Sequence, residues 1–358
     1  MRTMNMRERM LGIMHGQPVD RVPFATYDQL VGPNSRLWEP LGRDNVGIIR
    51  WSGVHSVAYP NCRFDWEEQR EGERDVVRVT LHTPEGDLTR EAWREPVFHS
   101  LASVRHYIKK PEDYRILNAY LRDITIHPDF ERYLNDLREL GDDGLPMVTA
   151  NRTPYQQLWV EWVNLEDLAW HLAECPELVE ECIALMAEIE CRIFTVIRDA
   201  CASMPIDYVN IPDNITAPAI GEKYFRRYCL PLYRKLGAML ADTDALFAVH
   251  MDGDLKPLWT AIAESPVKGL DSFSPMPDND TSVAQAREQW PWMRLFINFP
   301  SSVHLAEPPE VYAQTMQMLE EGGHSGQLWI QISENVPPNR WQHSFPAIIQ
   351  AIEDFGKP

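Results

Sequence analysis

Eight apolar segments of strand length alternate with helical patterns along the chain, and this alternation constrains the fold more than any other feature of the sequence. The predicted strands are Val22–Ala25, Val46–Trp51, Pro146–Ala150, Asp207–Ile211, Leu246–His250, Gly269–Phe273, Arg294–Asn298 and Gln327–Ile332. The later strands are separated by predicted helices at Glu177–Cys201, Glu222–Leu240, Leu255–Glu264, Ser282–Gln289 and Pro309–Glu321. Strand–helix alternation indicates parallel strands joined by crossover helices. Eight units of this kind predict an α/β fold, a closed (β/α)8 TIM-type barrel rather than an open sheet.

The first third of the chain interrupts this alternation at about residues 61–95. Val76–Leu81 and Asp87–Trp93 both alternate in polarity and flank a turn that contains Gly86, which predicts a β-hairpin. The polar stretch Asp113–Asp143 is typical of helix. A length of 358 residues suits one large barrel. We therefore predict a single barrel domain over residues 1–358 with a hairpin insertion, which forms a rim over the pocket or a contact in a homodimer.

Charge and motifs exclude several classes of function. The net charge of −19 argues against a general affinity for nucleic acid. Met1–Met14 carries charged residues among its apolar ones, which favours an amphipathic helix over a signal peptide, and no apolar run is long enough to span a membrane. A soluble, cytoplasmic protein is expected. The motifs of P-loop enzymes, dinucleotide dehydrogenases, serine hydrolases and HExxH metalloproteases are absent from the sequence.

Polar side chains follow nearly every predicted strand. Barrel enzymes carry their reactive groups on the loops at the carboxyl ends of the strands, so these positions are the candidates for a site. They are Tyr27, Asp28, Trp51, Arg152, Asp213, Asn214, His250, Asp252, Asp271, Asn298 and Glu334. We expect Tyr27, Asp28, Trp51, Arg152, Asp271 and Asn298 to contact the substrate, and Asp213, Asn214, His250 and Asp252 to take part in catalysis.

His250-x-Asp252 is the sharpest local signal. Residues two apart at the end of a strand point the same way, so the imidazole and the carboxylate can face one target. Together with Glu334 they predict either a metal site with one histidine and two carboxylates or an acid–base cluster. The structural alternative is that His250 hydrogen-bonds Asp252 or a neighbouring loop backbone, and that Asp252 caps the helix predicted to begin near Leu255.

Two further candidates also have a functional and a structural interpretation. Asp213 follows a buried strand, where it can act as a general acid or base, or can close a tight turn together with Asn214. Arg152 is the only arginine in the strand-end set. Its guanidinium suits a substrate carboxylate, or alternatively a structural ion pair.

Several segments resemble one enzyme superfamily over nearly the whole chain. The start, Met6–Leu11 followed by Gly16–Phe24, contains the pattern G-x-P-x-D-R-x-P and is similar to the start of uroporphyrinogen decarboxylase-like proteins. The segments Asp207–Tyr233, His250–Leu258 and Ser333–Pro338 resemble later strand ends of the same superfamily. True uroporphyrinogen decarboxylases carry an arginine-rich loop early in the chain, whereas the corresponding residues here, Thr26–Pro33, contain no arginine.

The corrinoid methyltransferases are the other branch of this superfamily. They bind zinc through a His-x-Cys pair and a later Cys and use it to activate a methyl acceptor. His250 falls on that histidine, Asp252 stands in place of the first cysteine, and Glu334 lies near the second. Carboxylates in place of thiolates make a harder site that still suits zinc.

The resemblance therefore implies a methyltransferase that moves a methyl group between a separate corrinoid (methylcobalamin) protein and a small acceptor, with zinc at His250, Asp252 and Glu334. One alternative is a metal-free decarboxylase in which Asp213 stabilises positive charge and His250 moves protons. Another is a non-catalytic barrel that binds a corrinoid or tetrapyrrole. The expected partners are a small-molecule substrate, a corrinoid protein and a second copy of the chain, without nucleic acid or membrane.

Overall fold

The computed structural model describes residues 3–358 and divides them into two compact units. Unit 1 comprises the residues up to Val54, Asp129–Ala150 and Ile197–Pro358, and unit 2 comprises His55–Pro128 and Asn151–Val196. The strands are β1 (Phe24–Tyr27), β2 (Gly47–Ser52), β3 (His55–Ala58), β4 (Arg63–Glu71), β5 (Arg74–Thr83), β6 (Gly86–Arg94), β7 (Leu101–Arg105), β8 (Thr125–Pro128), β9 (Gly144–Thr149), β10 (Tyr208–Ile211), β11 (Leu246–His250), β12 (Gly269–Phe273), β13 (Arg294–Asn298) and β14 (Leu328–Ile332).

The α-helices are α1 (Met6–His15), α2 (Asn34–Leu41), α3 (Asp113–Asp123), α4 (Glu131–Leu140), α5 (Pro154–Gln157), α6 (Leu165–Glu174), α7 (Pro176–Cys201), α8 (Ala217–Tyr224), α9 (Leu230–Met239), α10 (Trp259–Ala263), α11 (Val283–Gln289), α12 (Pro308–Gly322) and α13 (Trp341–Phe355). Single π-helical turns at Leu158–Trp162 and Phe225–Cys229 extend α5 and connect α8 to α9. Among the helices of residues 3–358, none combines the length and apolar character that a membrane-spanning helix requires.

Eight parallel strands of unit 1 close into a barrel in the order β1-β14-β13-β12-β11-β10-β9-β2. This confirms the predicted TIM-type barrel. Each predicted strand coincides with a barrel strand or differs from it by at most two residues at either end, and β11, β12 and β13 match to the residue. The predicted and observed strands agree because parallel strands are buried on both faces. Each strand is therefore a short apolar run in the sequence, and the helices between the strands separate these runs.

The first helix closes the amino-terminal end of the barrel. It begins at Met6 because Asn5 and Glu8 form a reciprocal capping box, and it ends at Gly16, which has the left-handed φ of 67°. The predicted helix started at Met1, and its first two residues lie outside the described part of the chain. The apolar side chains of α1 pack with residues from the lower part of the barrel interior: Met6, Met10, Ile13 and Met14 with Ala25, Leu145, Leu246, Phe296 and Trp329.

The barrel interior changes from apolar to polar along its axis. Near the amino-terminal ends, Phe296 and Trp329 stack with their ring centroids 3.7 Å apart. Two residues further along the same strands the interior positions are polar, namely Asn298 and Gln331. Alternate residues of a strand point to the same face, so β13 and β14 each present an apolar residue near α1 and a polar residue towards the opposite end of the barrel.

Unit 2 contains the predicted hairpin, which is one part of a larger sheet. β5 and β6 pair in antiparallel fashion around the turn before Gly86, which confirms the hairpin, and β4 and β7 extend it to four strands, so that the insertion continues past residue 95 to Arg105. The expectation of continuous helix over Asp113–Asp143 was wrong in its middle. Thr125–Pro128 forms β8, which pairs with β3, because paired backbone groups offset the weak local preference for helix.

Candidate metal centre

A fully buried carboxylate lies at the centre of the polar end of the barrel. Asp271, at the third position of β12, is inaccessible to solvent. Its Oδ1 accepts hydrogen bonds from the Tyr208 hydroxyl (2.9 Å) and from Gln331 Nε2 (3.0 Å). Its Oδ2 accepts from the Tyr27 hydroxyl (2.5 Å) and from Asn210 Nδ2 (3.2 Å). Burial alone raises the pKa of this carboxyl, but the hydrogen bonds and the positive charge of His250 outweigh it, so the pKa is lowered and Asp271 is ionised.

Asp271 also determines which nitrogen of His250 faces the open end of the barrel. His250 Nδ1 lies 2.9 Å from Asp271 Oδ2, and because an ionised carboxylate only accepts, Nδ1 carries the proton and donates. Nε2 then points the other way, 3.5 Å from Asp252 Oδ2. Burial lowers the pKa of the imidazole, but the hydrogen bonds and charges of Asp252 and Asp271 outweigh it and raise the pKa to about 10.

Asp252 is positioned by the turn that follows β11. Its Oδ2 accepts from Asn214 Nδ2 (3.1 Å), and its backbone oxygen accepts from Asn279 Nδ2 (2.8 Å). Gly253 is required in this turn because a Cβ there would lie 2.2 Å from the side chain of Thr216. Asp252 does not cap the short 3-10 helix that begins at Lys256, because the backbone N–H groups of Leu255 and Lys256 donate to Asp280 instead.

Glu334 comes from the loop after β14. The preceding residue, Ser333, is held twice: its backbone N–H donates to Asn298 Oδ1 (3.0 Å), and its hydroxyl lies 2.6 Å from the Ser272 hydroxyl. Glu334 itself has a raised pKa, because burial and the nearby carboxylates of Asp252 and Asp271 outweigh the opposing charge of His250. The carboxylate therefore sits in a negatively charged neighbourhood that a cation would neutralise.

His250, Asp252 and Glu334 fit a divalent metal ion. Each offers one ligand atom, and the three atoms lie within 4.8 Å of one another. Two ligands that each bind zinc at about 2.1 Å lie ~3.4 Å apart in tetrahedral geometry, and the separation between His250 Nε2 and Asp252 Oδ2 is 3.5 Å. Metal-binding histidines almost always donate their other N–H to a carboxylate or carbonyl, as His250 does to Asp271. Three protein ligands leave a fourth position open, which is the pattern of catalytic sites.

Comparison with known proteins places this barrel in a family. The sequence profile described as Uroporphyrinogen decarboxylase (URO-D) matches residues 163–352, slightly more than half of the 358-residue chain. The chain belongs to the uroporphyrinogen decarboxylase family. The match covers β10 to β14, the strands that carry or precede the candidate ligands.

A solved structure shares the fold at low sequence identity. A methyltransferase from Methanosarcina mazei aligns with a TM-score of 0.57 and 12% identity, covering 98% of this chain and 99% of that one. At this identity the likeness shows the fold alone. MenC from Desulfotalea psychrophila LSv54 covers 80% of this chain and 97% of its own at 11% identity, but its TM-score of 0.19 is too low to support an argument. No curated protein matches the sequence.

Tyr27 and Trp51 lie beside the candidate metal ligand His250 and its partner Asp271. The Tyr27 hydroxyl donates to Asp271 and is 3.4 Å from His250 Nδ1. Trp51 packs edge-on against the Tyr27 ring, with centroids 5.6 Å apart, and remains 37% exposed. Asp271 was predicted to contact the substrate, whereas the structure buries it behind His250. We therefore assign it to positioning His250.

Asp28 and Asn298 are engaged in structural contacts. Asp28 forms an ion pair with Arg50 (2.6 Å) and accepts from Asn34 Nδ2 (2.7 Å), so its carboxylate holds the loop after β1. Asn298 joins Ser274 to Ser333 by one hydrogen bond to each. Both were predicted to bind substrate, and in the structure both hold loops in place.

The three remaining candidates, Asp213, Asn214 and Arg152, contact other side chains of the protein. Asp213 is completely buried and accepts a hydrogen bond from the Tyr233 hydroxyl (2.6 Å), whereas its neighbour Asn214 reaches Asp252. Arg152 belongs to unit 2, where its guanidinium lies 3.3 Å from Glu161. This contact corresponds to the structural alternative for Arg152.

Sequence reasoning missed the residues that hold Asp271. Tyr208, Asn210 and Gln331 lie inside predicted strands rather than after them. A signal was present, because Asn210 and Gln331 are amide side chains within otherwise apolar runs. A buried amide needs partners, so such positions point to an interior polar network.

Proposed function

We propose that this protein is a metal-dependent methyltransferase that moves a methyl group between a corrinoid carried by a separate protein and a small acceptor. The observation that carries this proposal is the His250, Asp252 and Glu334 cluster, with the His250 tautomer set by Asp271. A divalent ion such as zinc, when bound there, supplies a Lewis acid that lowers the pKa of an acceptor hydroxyl or thiol. Membership of the uroporphyrinogen decarboxylase family supports an enzyme.

The residues of the chain orient the ligands and shape the site. Asp271 keeps a proton on His250 Nδ1, so Nε2 is the nitrogen that would bind the metal, with release of its own proton. Asn214 donates to one oxygen of Asp252 and thereby directs the carboxylate. The partly exposed ring of Trp51 offers an apolar contact for an acceptor beside Tyr27.

The structure favours this reaction over the metal-free decarboxylase. That alternative needs Asp213 to face developing positive charge on a substrate. Asp213 is instead inaccessible to solvent and bonded to the Tyr233 hydroxyl. A tetrapyrrole with many carboxylates also needs cationic contacts, and three acidic residues surround His250, namely Asp252, Asp271 and Glu334.

Methyl transfer from methylcobalamin tests the proposal directly. The zinc-loaded protein is mixed with methylcobalamin and, in separate reactions, a thiol or a phenol, and loss of methylcobalamin absorbance is followed under anaerobic conditions. We expect His250→Ala to reduce the rate by at least roughly 100-fold, because it removes a predicted ligand. His343→Ala, a change at an exposed histidine on α13, is the control and should retain the rate. Equal rates in the parent and in His250→Ala would contradict the proposal.

A further inference from the structure

Unit 2 contains a cavity of about 430 Å³ whose wall is mostly apolar and includes five aromatic rings. Ligand pockets are typically concave and apolar, with volumes of roughly 300–1,000 Å³ and a few polar groups that orient the ligand. The rings that line the cavity are Tyr59, Phe64, Tyr107, Tyr120 and Trp162, and the one cationic side chain among its lining residues is Arg90. The cavity shares no residue with the His250 cluster.

The aromatic rings form a continuous wall. Tyr59, Phe64 and Tyr120 contact one another edge-on, with centroids 5.3–5.7 Å apart. Tyr120 continues to Trp162 at 5.9 Å, and Trp162 continues to Tyr107 at 4.9 Å. Aromatic rings in such arrangements favour a flat π-system as their next neighbour, in stacked or edge-on contact.

Arg90 has no acidic partner in the described part of the chain. Its guanidinium lies over two rings instead, with the guanidinium carbon 5.7 Å from the Tyr107 centroid and 6.0 Å from that of Trp66. Its Nε is fully buried, and no acceptor reaches it within residues 3–358. In the same sheet, Arg78 pairs with a glutamate at 2.8 Å and Arg94 pairs with another at 2.7 Å. An arginine left without an anion in an aromatic cavity is a binding group for a ligand carboxylate.

The other polar groups leave the positive charge of Arg90 uncompensated. Glu161 also lines the cavity, but it pairs with Arg152 and accepts from Gln157 Nε2 at 3.2 Å. Burial raises the pKa of Tyr107 to about 12, so its hydroxyl stays neutral. Of the two charged residues that line the cavity, Glu161 is therefore paired with an arginine, whereas Arg90 has no acidic partner within residues 3–358.

We propose that this cavity binds a planar aromatic carboxylate, with the ring against the aromatic wall and the carboxylate on Arg90. A ligand with one or two rings matches the volume. A quaternary ammonium ligand also favours aromatic walls, but Arg90 already lies over the face of Tyr107 and would repel it. The assignment depends on unit 2 alone and stands apart from the proposed methyl transfer.

Binding of three ligands of matched shape tests this assignment. Isothermal titration calorimetry of the full chain would compare 4-methoxybenzoate, its neutral amide 4-methoxybenzamide and the cation benzyltrimethylammonium. The acid should bind the parent protein roughly 10- to 100-fold more tightly than the amide, because a charge-assisted pair with arginine is the stronger contact. Trp162→Leu should weaken the acid and the amide by the same factor, since it removes part of the wall that both share.

Arg90→Gln should abolish the preference for the acid and leave the affinity for the amide within about twofold. Arg94→Gln, on the same strand but already paired with Glu68, is the matched control and should change neither affinity. Equal binding of acid and amide by the parent, tighter binding of the cation, or an unchanged acid affinity in Arg90→Gln would each overturn the proposal. The comparison of ligands on the parent protein does not depend on the folding of any variant.

Discussion

At the scale of single residues, Asp271 organises the candidate metal centre without being a ligand in it. Four neutral donors, from Tyr27, Tyr208, Asn210 and Gln331, surround its two oxygens. A buried charge persists only when it is paired and hydrogen-bonded. Together with His250, these donors lower the pKa of Asp271 and keep it ionised, and the ionised carboxylate in turn determines which nitrogen of His250 faces the other ligands.

Replacement of Asp271 by asparagine should therefore weaken metal binding without removing a ligand. We expect the affinity for zinc to fall by roughly 10- to 100-fold, which is typical for loss of a carboxylate behind a ligating histidine. Competition with a chromogenic chelator measures the affinity. Asp207→Asn is the matched control. Asp207 also pairs with a histidine, His15, at 2.9 Å, but it precedes the first residue of β10 and so lies at the end of the barrel opposite the candidate metal ligands. Equal losses in the two variants would show that the role of Asp271 is not specific to the site.

Part of this site was predictable from single residues, and part was not. His250, Asp252 and Glu334 could be singled out because they follow strands whose carboxyl ends meet at one end of a barrel. The tasks of Asp28 and Asp271 could not be predicted, because the same position after a strand suits a substrate contact, an ion pair or a buried hydrogen bond. The role of each carboxylate depends on its partner, which is Arg50 for Asp28 and His250 for Asp271. Each partner lies on a different strand and about twenty residues away in sequence, so local sequence does not reveal the pairing.

At the scale of elements, the pairing of β2 with β9 leaves no room for a side chain at one position. Gly144, the first residue of β9, lies opposite Ile48, and a Cβ there would be 1.9 Å from the Ile48 carbonyl oxygen. The obstacle is backbone rather than a movable side chain, so the strands would have to separate. A glycine at this position is thus required by the close approach of two strands.

Gly144→Ala should lower the free energy of unfolding by about 3 kcal/mol, because overpacking against backbone cannot relax locally. Urea denaturation followed by tryptophan fluorescence measures the change. Gly53→Ala is the matched control, since a Cβ at Gly53 meets no atom within 4 Å, and it should change the stability by less than about 0.5 kcal/mol. Similar stabilities of the two variants would contradict the strand register described above.

The elements of the barrel were more predictable than those of unit 2. β11, β12 and β13 are short apolar runs between helices, so local sequence suffices to locate them. The hairpin of β5 and β6 was also visible, because its turn and its alternation are local. β8 was missed because it is stabilised by pairing with β3, nearly seventy residues earlier, rather than by its own pattern.

At the scale of the whole molecule, the two units carry different chemistry. Unit 1 carries an acidic cluster suited to a cation, and unit 2 carries an aromatic cavity with a free arginine suited to an anion. The overall charge of −19 gave no indication of either, because net charge averages over local sites. The resemblance to the family predicted the barrel. The cavity of unit 2 could not be predicted in this way, because it depends on contacts between residues that belong to no recognisable sequence motif.

The metal content of the purified protein tests the central claim most directly. The protein would be prepared without chelators, incubated with zinc and desalted. Its metal content would then be measured by inductively coupled plasma mass spectrometry, together with that of His250→Ala, Glu334→Ala and the control His343→Ala. The account predicts about one zinc per chain in the parent and in the control, and little in the two ligand variants. A parent protein that retains no divalent metal after this incubation, or ligand variants that retain as much as the parent, would contradict it.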